Sequence, residues 1–328
     1  MSTPLSALIV EDSEDDALLL LRELRRGGYE VTSERVDTAE AMRAALARQR
    51  WDIIFCDYSM PQFNAFAALD VFKATDLDVP FIIVSGAIGE ETAVAAMKAG
   101  AHDYIMKGNL PRLVPAVERE LRDAEVRRER KREQKRLDHC FIDLATTVSR
   151  AMASRDPYTA DHAKRVAALA RLVGQKMGLD EDRLTGLYIG GLLHDIGKIS
   201  TPESLLSKPG ELSEEEWNLL RAHAKQGYKI LKDTDLPWPV ADMAVHHHER
   251  LDGSGYPHGI SGDKLSLEVR ILAVCDVVEA MSSHRPYRPA RNKEEVLEEI
   301  RNGRGRKYDA DVVDIMLQVI ESGEFQPE

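Results

Sequence analysis

The sequence predicts two domains of different class: a doubly wound α/β domain over residues 1–118 and an all-α domain over residues 140–328, joined by a long helix across 119–139. Short β-type runs alternate with helical patterns as far as residue 118, the rhythm of a parallel sheet with crossover helices. Beyond residue 139 the apolar patterns have a period near 3.6. Between the two lies ERELRDAEVRRERKREQKRLD, a mixed-sign charge run of strong helix formers without glycine or proline.

The predicted strands, in order, are ALIVE, VTSERV, DIIFCD, PFIIVS and DYIMK, with helical stretches such as TAEAMRAALAR and EETAVAAMKAG between them. Leu113, Val117 and Leu121 precede the charge run, and Leu137, Phe141, Leu144 and Val148 follow it. Together they extend the connecting helix to about 40 residues, or roughly 60 Å. Its central heptads lack apolar a and d residues, so a solvated spacer and a signalling coiled coil both fit. The later helical segments are RVAALARLVGQKMG, LTGLYIGGLLHDIG, SEEEWNLLRAHAKQGYKIL, the stretch through His248, EVRILAVCDVVEAM and NKEEVLEEIRN. Ser213 with Glu216 is a capping-box signature at the start of the third.

With 328 residues, 43% hydrophobic and 30% charged, the chain is long enough to bury two cores. No run approaches the roughly 18 to 20 apolar residues of a membrane span, and MSTPLSALIVEDSEDD has an acidic flank where a signal peptide needs a basic one, so a cytoplasmic location is expected. Cys56, Cys140 and Cys275 lie far apart with no CxxC, which suggests neither a disulfide framework nor a zinc ribbon. The net charge of −12 weighs against binding to duplex nucleic acid.

In a doubly wound sheet, ligands sit outside the carboxyl ends of the strands. Glu11 and Asp12 follow the first strand, Asp57 the third, Ser85 the fourth and Lys107 the fifth. Clustered carboxylates repel unless a cation joins them, and an oxygen-rich site open to water suits Mg²⁺. Such an ion can neutralise phosphoryl oxygens while a carboxylate, here Asp57, attacks phosphorus.

Over nearly all of residues 1–120 the sequence resembles the receiver domain of two-component response regulators, on LIVED, the CDYSMP loop, the VSG step and DYIMK. The resemblance implies a flavodoxin-like receiver fold with Asp57 as phospho-acceptor and Glu11, Asp12 and Asp57 around Mg²⁺. It also implies Ser85 as switch hydroxyl, Tyr104 as rotating aromatic, Lys107 as phosphoryl partner, and a cognate histidine kinase. Gly108 stands where many receivers have proline after the lysine, which puts the local loop geometry in question.

In the second half His162, the adjacent His194 and Asp195, His223, the run His246–His248 and Asp276 recur on helical segments. Imidazole and carboxylate together suit Mn, Fe or Zn without thiolate. A buried aspartate beside histidine needs a partner or a cation to offset its desolvation. Its carboxylate can bridge two metals, and two metals about 3.5 to 4 Å apart can hold a hydroxide and clamp a phosphodiester for in-line attack. Lys198 follows His194 by four residues and Asp195 by three, so it is expected on the same helix face. Three consecutive helical histidines span roughly 200° and cannot all face one pocket. Spacing leaves open whether the inward pair is His246 with His247 or His247 with His248.

Residues from about 140 to 320 resemble an HD-GYP domain, the cyclic di-GMP phosphodiesterase branch of the HD superfamily, on RDPYTADHAKRVA, LLHDIGKI, LSKPGELSEEEW, HHERLDGSGYP and SHRPYR. The resemblance implies metal ligands at His162, His194, Asp195, His223, His247, His248 and Asp276, with Asp195 bridging and His246 left as a flanking residue. Lys198 matches the family's HDxxK lysine, so Asp195 and Lys198 are the candidate catalytic residues. Gly255, Tyr256 and Pro257 match the naming motif, and Arg285 and Arg288 match basic residues that approach ligand phosphates, a role suited to the guanidinium fork. Some members carry a glutamate four residues before the first histidine, which helps hold a third metal. Here that position is Tyr158, so a two-metal centre is expected, holding Fe or Mn, with Zn or another divalent ion also fitting.

The expected function is a response regulator whose phosphorylation at Asp57 controls a metal-dependent phosphodiesterase that opens cyclic di-GMP to pGpG, GMP or both. Two other readings use the same residues: an output domain that binds a cyclic dinucleotide or a protein without turnover, and a phosphodiesterase for another cyclic nucleotide. The expected partners are cyclic di-GMP, a histidine kinase and a second copy through the helical linker, with no duplex nucleic acid and no membrane. The sequence leaves open the sign of the control, the native metal and the final product.

Overall fold

The strand runs of the first half form a five-stranded sheet in the order β2-β1-β3-β4-β5, with every pairing parallel. The strands are β1 (Thr3–Val10), β2 (Tyr29–Val36), β3 (Ile53–Asp57), β4 (Phe81–Ser85) and β5 (Asp103–Met106). The computed structural model describes residues 2–61, 63–75, 77–86, 90–153, 159–208, 210–283 and 290–325. The chain divides into two units, Met1–Lys135 and Arg136–Glu328.

Both faces of the sheet are covered. Leu8, Val10, Ile54, Cys56 and Ile83 belong to a core shared with α2 (Ala39–Arg48), α3 (Ala65–Lys73) and α4 (Glu90–Lys98). Ala7, Ile9, Phe55, Ile82 and Val84 pack against Leu20 and Leu24 of α1 (Glu14–Arg26) and Leu113 and Val117 of α5 (Leu113–Ala153). Strands buried on both sides read as continuous apolar runs rather than as alternation. The β1/β3 boundary, where the strand order reverses, is the point at which such sheets open a crevice. Ser13, which accepts a hydrogen bond from the Asp16 N–H, caps α1 directly after Glu11 and Asp12 and keeps both acids at the carboxyl end of β1. The α5 helix has 41 residues, the length expected from the apolar positions that flank the charge run.

The second unit is helical. Its described helices are the end of α5, α6 (Thr159–Lys176), α7 (Glu181–Leu193), the short α8 (Glu203–Leu206), α9 (Glu214–Leu231), α10 (Val240–His246), α11 (Leu267–Ser282), α12 (Lys293–Gly303) and α13 (Ala310–Glu321). The capping box read at Ser213 and Glu216 is formed at the start of α9, and Asn292 with Glu295 forms another at α12. One core joins α6, α7, α11, α12 and α13, and another joins the end of α5 to α7 and α10. No helix among the described residues is long and apolar enough to cross a membrane.

Three local features depart from the sequence reading. The α13 helix, absent from the segments named above, buries Val312, Val313, Met316, Val319 and Ile320. The α10 helix stops at His246, so His247 is its C-cap and His248 lies in the turn beyond. The α7 helix stops at Leu193 instead of continuing through HDIG, and Ile196–Ser200 winds on as a 3₁₀ turn. Lys198 and His194 are therefore not on one α-helical face. Gly197 accounts for the position of that turn: a Cβ there would lie 1.9 Å from the His223 carbonyl oxygen and 2.5 Å from the Gly227 nitrogen. The 3₁₀ turn thus rests directly on the backbone of α9, and the obstacle is main chain that cannot swing aside. Gly197→Ala is expected to cost about 2 to 3 kcal/mol through overpacking. Thermal melting of the purified variant checks this, and a wild-type melting temperature would contradict it.

Candidate active site and metal centre

Five helical elements of the second unit converge on one buried cluster. The α6 helix supplies His162, the end of α7 supplies His194 and Asp195, α9 supplies His223, the end of α10 supplies His247 and His248, and α11 supplies Asp276. His223, His247 and His248 offer ligand atoms within 4.8 Å of one another, as do His162, His194 and Asp276. Asp195 lies between the two sets. Its Oδ1 is 3.3 Å from His223 Nε2 and 3.9 Å from His247 Nε2, and its Oδ2 is 3.4 Å from His194 Nε2 and 3.8 Å from His162 Nε2. Asp276 Oδ1 is 3.3 Å from His162 Nε2, and its Oδ2 is 3.7 Å from His248 Nδ1.

The outer nitrogens of four rings are tied back to the protein. His194, His223 and His247 each donate Nδ1–H to the carbonyl three residues earlier, that of Gly191, Leu220 and Ala244, at 2.7, 2.7 and 2.9 Å. His162 Nδ1 bonds to Glu279. These bonds fix the tautomer and aim each Nε2 inward. His194 Nε2 is buried with no hydrogen-bond partner among the described residues. Inward lone pairs, two ionised carboxylates and an unpartnered nitrogen form a donor set that fits divalent cations of the Mn, Fe or Zn type.

Burial opposes every charge in this cluster. Lys198 and His194 nonetheless hold Asp195 well below the usual carboxylate range, and contact with the His162 imidazole does the same for Asp276. Burial pushes His247 down to about 3 and lowers His223 and His248, so these rings are neutral donors at neutral pH. Asp195 draws His194 upward against its burial, so a proton and a metal compete for that ring. Lys198 Nζ reaches Asp195 Oδ2 at 2.6 Å, because the 3₁₀ turn returns residue 198 over residue 195.

The three consecutive histidines separate at the helix end. His247 and His248 enter the cluster. His246 turns away, with Nδ1 3.6 Å from Asp242 Oδ1 and its ring against His258. The turn that follows folds back on itself at Gly255, where a Cβ would lie 2.4 Å from the Glu249 Cα. Tyr256 donates its N–H to the His248 carbonyl and stacks its ring on the His248 imidazole at 4.5 Å, and Pro257 follows it half-buried. Tyr158, Arg285 and Arg288 lie outside the described residues.

In the first unit Glu11, Asp12 and Asp57 offer oxygens within 4.8 Å of one another. Lys107 Nζ sits 2.8 Å from Glu11 Oε2, 2.5 Å from Asp16 Oδ2 and 3.4 Å from Asp57 Oδ1. Burial raises the Glu11 and Asp57 carboxyls, and Lys107 works against that rise. Ser85 is buried at the end of β4, and the Tyr104 phenol is turned inward with no hydrogen-bond partner among the described residues. At Gly108 an added Cβ would meet nothing within 4 Å, and Lys107 reaches all three acids without a proline beside it.

Some site residues were not singled out from the sequence. Glu279 is fully buried and takes His162, Arg165 and Ser283 as partners. Its signal was available: an acid three residues after Asp276 inside an otherwise apolar helix requires partners. Asp16 gave no such signal, because acids in a first helical turn read as compensation for the helix dipole. Glu249, also buried, accepts N–H bonds from His258, Gly259 and Ile260 and so holds the turn that carries Tyr256.

A family model described as HD domain matches residues 146–312, and one described as response regulator receiver domain matches residues 7–118. The chain is a response regulator of the HD domain family. This response regulator is 33% identical over 285 residues to the cyclic di-GMP phosphodiesterase response regulator RpfG of Xanthomonas campestris, across 82% of this chain and 75% of that protein. It is 28% identical over 336 residues to a cyclic di-GMP phosphodiesterase of Thermotoga maritima, across 96% and 90% of the two chains. It is also 39% identical over 155 residues to 3'3'-cGAMP-specific phosphodiesterase 3 of Vibrio cholerae, across 47% of this chain and 34% of that one.

Two outcomes follow for metal content, read by elemental analysis of the purified protein. His246→Ala is expected to keep the wild-type metal content, whereas His247→Ala or His248→Ala loses one ion; equal loss in all three would contradict the assignment. Glu279→Ala is expected to weaken metal affinity about 10- to 100-fold, the usual effect of removing a ligand's outer partner. Unchanged affinity would make Glu279 a packing residue only.

Proposed function

We propose that this response regulator couples phosphorylation of Asp57 to a metal-dependent phosphodiesterase that opens cyclic di-GMP to pGpG, GMP or both. In this reading a receiver domain spans residues 1–118, a helical linker 119–139 and an HD-GYP domain 140–328. The observation that carries it is the position of Asp195, one oxygen towards His223 and His247 and the other towards His162 and His194. A carboxylate so placed is suited to join two ions, Fe or Mn, and Glu11, Asp12 and Asp57 are suited to Mg²⁺. The named activities of the relatives matched over most of the chain support the same substrate.

A divalent pair in the cluster would supply Lewis-acid charge to the phosphoryl oxygens and a water of lowered pKa. The chain's own groups have distinct tasks. Neutral imidazoles keep their lone pairs inward, Asp195 stays ionised, and the Lys198 ammonium brings positive charge to the position where negative charge develops on oxygen. The Gly255–Pro257 turn lays Tyr256 along one side and keeps water from that flank, and Arg285 and Arg288 are assigned to the substrate phosphates. In the receiver, Lys107 faces the carboxylate that accepts the phosphoryl group from a histidine kinase. A second copy docked along α5 and a cytoplasmic location complete the proposal.

One observation favours a second reading. The 39% identity over 155 residues to a 3'3'-cGAMP-specific enzyme supports a mixed cyclic dinucleotide as substrate, and competition between the two dinucleotides separates the readings. The decisive experiment loads purified protein anaerobically with Fe²⁺ or Mn²⁺ and follows cyclic di-GMP. The wild type is expected to cut it, Asp195→Ala is expected to fall to the level of metal-free protein, and a phosphoryl mimic at Asp57 is expected to change the rate. Uncut cyclic di-GMP with both metals would sink the proposal.

A further inference from the structure

The mouth of the cluster holds a cation that none of the roles above uses. Arg221 stands on α9, and its guanidinium carbon lies 5.9 Å from the ring centre of Trp217 and 5.4 Å from that of Tyr256. Tyr256 is in turn stacked on His248, so the arginine is one aromatic ring removed from the metal cluster. Two aromatic rings hold the guanidinium by cation–π attraction and limit its orientation. Among the described residues no acceptor takes any of its N–H donors. Trp217 is 42% exposed, which leaves indole surface open beside it. Lys225 and Lys229 follow at four-residue steps on the same ridge of α9, both exposed, so this edge of an acidic protein is locally cationic.

We propose that Arg221 is a specificity-determining residue that reads a guanine base of the substrate, with Trp217 as the stacking surface for that base. The inference rests on the cyclic-dinucleotide reading of the cluster. A guanidinium fork held in place pairs with two acceptors in one plane, as O6 and N7 of guanine provide; adenine presents an amino donor in place of O6 and repels it. A phosphate could also take the fork, but the scissile phosphate belongs at the metal cluster, a ring away. The open indole accepts a purine face, and such stacking is tolerant of base identity. Discrimination is thus assigned to Arg221 and general affinity to Trp217.

The test measures kcat and KM of full-length wild type, R221A, R221K and W217A with cyclic di-GMP, 3'3'-cGAMP and cyclic di-AMP, and in parallel the equilibrium binding of the same three labelled dinucleotides. Metal content and melting temperature are recorded for each protein and are expected to stay at wild-type values, since both side chains lie on the surface. R221A is expected to raise KM for cyclic di-GMP about tenfold and to shrink the guanine-over-adenine preference by a similar factor. R221K is not expected to restore it, because an ammonium lacks the planar fork. W217A is expected to weaken all three ligands about fivefold or more, with their ranking unchanged. An R221A protein that cuts cyclic di-GMP with the wild-type base preference overturns the guanine assignment and leaves the phosphodiesterase reading standing. Guanine-selective binding that R221A abolishes, in a protein that cuts nothing, supports the assignment and removes the phosphodiesterase reading instead.

Discussion

The output unit is organised around the burial of one carboxylate. Asp195 is 3% exposed and ionised, and withdrawing such a charge from water costs several kcal/mol unless partners surround it. Lys198 supplies one partner from the next turn of the chain. The others are imidazoles from α6, α9 and α10, so three helices separated in sequence must all reach the same point. That requirement explains the close backbone approaches nearby. Gly197 lets the turn after Asp195 lie on α9, and a Cβ at Gly191 would stand 2.5 Å from the Ala167 Cα of α6. The same helices that bury the acid therefore supply the groups that make its burial tolerable.

The receiver meets a similar difficulty differently. Its acids stand at the carboxyl ends of the strands, where Asp12 is exposed and the buried Asp57 lies 3.4 Å from Lys107. Burial lifts the Asp57 carboxyl, whereas the neighbours of Asp195 hold that acid down. The contrast matches the chemistry each carboxylate is asked to do. In the proposed roles, an acceptor must offer an oxygen to an incoming phosphoryl group, and a bridging ligand must stay ionised and fixed.

Both halves of the fold are legible in the amino-acid pattern, because strands covered on two faces and helices covered on one leave different apolar periods. The ends of the helices are not. The 3.6-residue period runs on through LLHDIG, yet α7 stops at Leu193, and the turn that follows packs on the α9 backbone, a contact that no local residue reports. Spacing alone leaves the choice between His246 and His248 open, because the 100° step holds within a helix and α10 ends at His246. Resemblance to a family picked out the ligand set, and the fold brings those side chains together. Glu279, Asp16 and Arg221 carry no motif. Each is an ordinary charged helical residue until the neighbouring element that faces it is known.

Two pairs of candidate ligands, His194 with Asp195 and His247 with His248, sit where a helix has just ended. The last turn of any α-helix leaves carbonyls without intrahelical partners. At both ends here, the first histidine of the pair gives its Nδ1–H to such a carbonyl, that of Gly191 or of Ala244. One bond therefore satisfies an orphan acceptor, fixes the tautomer and turns Nε2 inward. The second residue of each pair, Asp195 or His248, offers its ligand atoms to the same cluster from the departing chain. Helix termination is thus part of the geometry of the candidate site.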